Sequence, residues 1–218
     1  MEPMELPGLE RLLDVCQRLK LGLKTTPPAR APRKAGSLLE GVPFDPILAS
    51  VYARLGHAAF ATKEICWVLA QSTDDAHDLE KTNKWWRETW WKELGMPVIV
   101  FGGDVYSYAT VPELADERGR QPVVMVDTYE SKCDVMPVAS DVDRLFGTLA
   151  HYLEALVARP YYQKYGEADL NFPWDATGIL ARDERLVEMM RAGRFEPLMK
   201  NVDEEMRRWA EKVMGAGE

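Results

Sequence analysis

No apolar run in this chain approaches the roughly 20 residues that a membrane-crossing helix needs. Met1 leads into an acidic, proline-containing stretch in place of a charged-then-apolar signal. Both absences point to the cytoplasm. Cysteine is scarce: Cys16, Cys66 and Cys133 are odd in number, widely spaced and set among apolar residues. That is a pattern of buried thiols in a reducing compartment, and it excludes a disulfide framework or a metal knuckle. Histidine is scarce too. His57, His77 and His151 each lack a second ligand type at metal spacing, and the acids around His77 (Asp74, Asp75, Asp78 and Glu80) read as a solvated face. His151, among apolar residues, reads as a hydrogen-bonded structural imidazole. Also missing are a Gly-rich phosphate loop ending in Gly-Lys, a nucleophile elbow, a paired-histidine zinc helix and a calcium loop. Gly102-Gly103-Asp104 is what a strand-joining turn requires, and Cys133, beside Lys132 and Asp134, has no histidine near it in sequence. The reading is of a chain with no catalytic set, no metal and no cofactor.

The 218 residues, 46% hydrophobic and 28% charged, suffice for one large domain or one domain with appendages. Net charge is −8 and uneven. Residues 1–37 carry seven Lys/Arg against four acids, a net +3, which leaves −11 on the remainder. An acidic body repels phosphate backbones and anionic membranes and favours cationic partners.

Leu9, Leu12, Leu13, Cys16 and Leu19 recur at helical spacing, so the N-terminus is predicted to be an amphipathic helix that ends at Gly22. Residues 25–37 pack Pro27, Pro28 and Pro32 among Arg30, Arg33 and Lys34, a composition expected of an exposed linker. Asp45 as N-cap and Pro46 in the first turn open a helix to about Leu55. Residues 65–70 are short, apolar and rich in β-formers, which predicts a central strand. Residues 96–101 and 105–111 form a predicted hairpin, residues 121–127 a third strand and 135–139 the candidate fourth. Asp141 caps a helix whose apolar face runs from Val142 to Leu156. Beyond Pro160 an aromatic connector leads to two predicted helices, near 180–192 and 202–214.

The order of these phrases carries a resemblance. Tyr52-Ala53-Arg54-Leu55-Gly56 closes a helix. A strand, Asn83-x-x-Trp86-Arg87, Pro97-Val-Ile-Val-Phe-Gly102 and a tyrosine strand follow, then Gln121-Pro122-Val123-Val124 and Ala139-Ser140-Asp141, leading into Phe146-x-x-x-Ala150-x-Tyr152-Leu153. The series resembles the SUKH superfamily, which includes bacterial immunity proteins and fungal cell-wall regulators. It covers residues 38–158, about half the chain. The basic N-terminal segment (1–37) and a helical C-terminal extension (159–218) lie outside it.

The resemblance implies an α+β fold, a twisted and mainly antiparallel sheet flanked by helices, without enzyme activity or cofactor. Its immunity proteins bind a cognate toxin, often a nuclease, and an acidic body suits the basic cleft of such a partner. The candidate partner-binding residues are Trp85, Trp86, Trp90, Trp91, Asp104, Tyr106, Tyr108, Asp127 and Glu130, since aromatic anchors dominate interface energetics. Core packing is the competing role for Trp86, Trp90 and Tyr106. Two other readings stay open: a regulatory scaffold whose C-terminal helices make the contacts, and an enzyme of unrecognised type built on Asp127, Tyr129, Glu130 and His77.

Overall fold

A computed structural model describes residues 4–28, 31–61, 66–68, 78–103, 106–128, 133–200 and 202–216. Helix α1 (Pro7–Arg18) buries Leu9, Leu12, Val15 and Cys16, the stripe that the three- and four-residue spacing predicts. The described residues of the basic segment after it are mostly exposed, as its composition predicts, but its start is paired. Lys24–Thr26 forms a strand, β1, paired antiparallel with β4 (His57–Ala61). Further along, Arg33 reaches Glu80 at 2.7 Å and the Leu38 carbonyl at 2.9 Å. Backbone pairing with a strand distant in sequence overrides the local composition here.

A small hairpin, β2 (Leu38–Leu39) and β3 (Val42–Pro43), turns through Glu40 and Gly41, both at positive φ (52° and 93°). That is the double left-handed requirement of a two-residue hairpin turn. Helix α2 (Pro46–Arg54) starts where Asp45-Pro46 predicts. The buried Asp45 carboxylate accepts from Leu48 N–H at 2.7 Å and, across the fold, from Gln121 N–H at 2.8 Å. The predicted strand over 65–70 is described as β5 (Cys66–Val68). Among the described residues it stands at the edge of a three-stranded sheet of order β1-β4-β5, with β4 in the middle.

Asp78 caps α3 (Leu79–Thr89), and the short α4 (Trp91–Leu94) ends on Gly95 in the left-handed region at φ 70°. The main sheet is a four-stranded antiparallel meander, β6 (Ile99–Gly103), β7 (Ser107–Thr110), β8 (Val123–Asp127) and β9 (Asp134–Ala139), in that order. Its first edge is covered by a side chain. Asn83 is fully buried on α3, donates to Val100 O and accepts from Val100 N–H, both at 2.8 Å, and so stands in for a neighbouring strand.

Asp141 caps α5 (Val142–Val157), whose broad apolar face supplies Leu145, Phe146, Leu149 and Leu153 to the core. After α5 come α6 (Pro160–Tyr165), α7 (Thr177–Leu180), α8 (Glu184–Arg191) and α9 (Glu204–Gly215). Asp183 caps α8 and also holds the end of β9 through Ser140 N–H (2.7 Å) and Ser140 Oγ (2.8 Å). The C-terminal segment shares the core: Phe172 packs on Tyr108 and Tyr152, and Phe195 and Trp209 are buried. The fold is α+β, as expected. Among the described residues no helix is long and apolar enough to cross a membrane.

Candidate functional site

The residues singled out from sequence separate into distinct places. On α3 and α4 the tryptophan run splits by face. Trp86 is 2% exposed and belongs to the core, whereas Trp85 is 52% exposed. Trp85, Trp86 and Trp90 form one ring cluster with centroids 6.1–6.4 Å apart. Trp91 is half-buried, its Nε1 donating to Val98 O at 3.1 Å. Of the four, only Trp85 presents most of its surface. Tyr108 is also a core residue. It is 8% exposed against Phe172, because the C-terminal extension lies over this side of the sheet, and burial pushes its hydroxyl pKa upward. Neither Trp86 nor Tyr108 offers a surface to a partner. Asp104 and Glu130, with Tyr129 and His77, lie outside the described residues.

Tyr106 and Asp127 do come together. The tyrosine hydroxyl is pushed above its ordinary range by burial and, after that, by the Asp127 charge. Its ring lies 5.3 Å from that of Trp174 in the C-terminal extension. Asp127 ends β8 directly opposite Asp134, which begins β9. These two carboxylates line a notch of about 160 Å³ together with Asp203, Glu205, Met125, Met136, Met206, Trp174 and Trp209. Asp203 is held in place as the N-cap of α9, accepting from Met206 N–H at 2.9 Å. Trp209 is buried and anchored by Nε1 donating to Pro173 O at 3.1 Å.

The chemistry of the notch follows from its walls. Among the described residues four carboxylates and no lysine or arginine line it, and like charges opposed across a strand pair repel one another. A cation seated between them is attracted by both, and indole faces add cation–π attraction. The methionines accommodate an alkyl stem. The volume suits one long basic side chain. Asp134, Asp203, Glu205, Trp174 and Trp209 were not singled out in the sequence. Only Asp203 carries a local signal, as a cap before a helical pattern. Cys133, weighed as a reactive thiol, is pushed up to about 12 by burial and by the charges of Glu93 and Asp134, and burial does the same to Cys16. No family model, no curated protein and no solved structure matches the chain.

Proposed function

We propose that the chain is a non-catalytic protein-binding domain that docks a basic partner by receiving a lysine or arginine side chain in the Asp127, Asp134, Asp203 and Glu205 notch. In the form that the SUKH resemblance implies, the partner is a toxin domain that the chain neutralises. The observation that carries the reading is the convergence of four carboxylates on a pocket walled by two tryptophans and three methionines. Indole and carboxylate together reward a desolvated cation more than either does alone. The net −11 on residues 38–218 accelerates encounter with a basic surface. Thiols held protonated, as Cys16 and Cys133 are, suit a binding protein better than a covalent catalyst.

Co-expression with the product of the gene directly upstream tests this reading. Wild type restores growth against a toxic upstream product, and Asp127→Lys with Glu205→Lys does not, although circular dichroism shows both folded. Equal rescue by both proteins removes the notch from the interface. An upstream product without toxicity removes the neutralising role.

A further inference from the structure

A second cleft, of about 650 Å³, opens where α1, the start of α5 and the turn between α7 and α8 meet. Among the described residues every cation that lines it is an arginine: Arg11, Arg118, Arg120, Arg144 and Arg182. In a chain of net charge −8 this is a local inversion of sign, and it concentrates the side chain whose planar fork matches oxyanions. Three of the carboxylates in the walls already have hydrogen-bond partners. Asp143 accepts Gly8 N–H and Leu9 N–H, both at 3.0 Å. Asp183 accepts from Ser140 and Leu186, and Asp141 accepts Arg144 N–H at 2.9 Å and lies 4.0 Å from the Arg120 guanidinium. Glu5, at the exposed N-terminal side, is the remaining acid of the lining.

Two of the arginines are committed to acids outside the cleft, Arg11 to Glu154 at 2.9 Å and Arg120 to Asp116 at 2.8 Å. Among the described residues Arg118, Arg144 and Arg182 pair with no carboxylate. His151 orients the group. Arg11 lies 3.2 Å and Arg182 3.5 Å from its Nδ1, and because guanidinium only donates, Nδ1 is the acceptor and Nε2 carries the proton. Burial, then the charges of Arg11 and Arg182, lower its pKa against the opposing pull of Glu154, which favours the neutral ring.

We propose that this cleft binds a small organic phosphate, with the phosphate oxygens taken by Arg118, Arg144 and Arg182 and the carbon body laid on Pro7, Ile47 and Ile179. A tetrahedral phosphate offers three acceptor oxygens to three guanidiniums, whereas one guanidinium fork already satisfies a planar carboxylate. The cleft exceeds what a bare phosphate fills and lies within the range of small-molecule sites. The chain as a whole carries a net charge of −8, which works against a nucleic-acid strand extending beyond the cleft and favours a ligand small enough to stay inside.

Calorimetric titration of the full chain with sodium pyrophosphate, at constant ionic strength, tests the assignment. Citrate and a short single-stranded oligonucleotide serve as comparisons. Saturable binding at one site is expected, tighter than that of either comparison. It should weaken about tenfold or more in Arg144→Gln with Arg182→Gln and in Arg118→Gln, and remain unchanged in Arg208→Gln on α9. The loop variant Arg118→Gln keeps the test decisive if the double variant loses Tm without ligand. Absence of saturable binding overturns the proposal. So does affinity indifferent to these arginines, or binding of citrate or the oligonucleotide that equals or exceeds that of pyrophosphate.

Discussion

The Asp143 carboxylate receives the backbone N–H groups of Gly8 and Leu9, each at 3.0 Å, while the Asp143 carbonyl oxygen lies 1.9 Å from where a Cβ on Gly8 would sit. Helix α1 has no side-chain cap of its own. The first turn of α5 caps it from across the interface, and the absence of a side chain at position 8 allows the approach.

Gly8→Ala should therefore destabilise the protein. In an ordinary helix this exchange stabilises by roughly 0.5–1 kcal/mol, but here the added methyl collides with backbone that cannot move aside. A net loss of about 2 kcal/mol is expected from overpacking. Asp143→Ala, which removes the cap without a clash, should cost about 1 kcal/mol. Urea unfolding of both variants measures the difference.

Asn83→Leu should cost about 3 kcal/mol, because it leaves both Val100 N–H and Val100 O unpaired inside the core. Amide exchange gives the local readout. The Val100 N–H should lose protection in the variant while the β8 amides keep theirs.

Two aspartates should titrate in opposite senses. For Asp45, burial outweighs the hydrogen bonds from Leu48, Gln121 and Ile47, Asp141 adds repulsion, and the carboxyl is raised to about 7. Its stabilising contribution is present below the unfolded value of roughly 4 and lost as pH rises through 7. For Asp116, burial raises the pKa, but hydrogen bonds from Arg120, Arg185 and Arg118 prevail and hold it at about 2. Its contribution is present above roughly 4 and lost as pH falls through 2. Carboxyl-carbon NMR titration should show Asp45 changing near neutrality and Asp116 only in strong acid.

Much of the fold could be read from local pattern. Asp45-Pro46 marks the start of α2, Asp141 the start of α5, and the alternation through Tyr106 and Tyr108 the second strand of the meander. Strand β4 could not. Residues 57–61 lack β-branched side chains, and their strand geometry comes from pairing with residues 24–26 on one side and 66–68 on the other. Little of the notch was visible. Of its four carboxylates only Asp127 is a sequence candidate, with Tyr106 against the Trp174 wall. Trp174, Asp203 and Glu205 join Asp127 only because the C-terminal segment folds back over the sheet. The arginine cleft draws on five separate stretches of chain, so no spacing rule reveals it. Trp86 and Tyr108 looked like anchors and are core, since composition alone does not say which side of a helix or sheet another segment covers.

The association rate with the toxic upstream partner, measured at low and high salt, reports whether the notch carboxylates draw in a basic side chain. Wild type should associate fast at low salt and slow steeply as salt rises. Asp127→Lys with Glu205→Lys should associate about tenfold more slowly at low salt with a flattened salt dependence. Its unfolding free energy should stay within about 1 kcal/mol of wild type, because surface substitutions cost little. Rates that superimpose on those of the wild type at both salt concentrations would contradict the account.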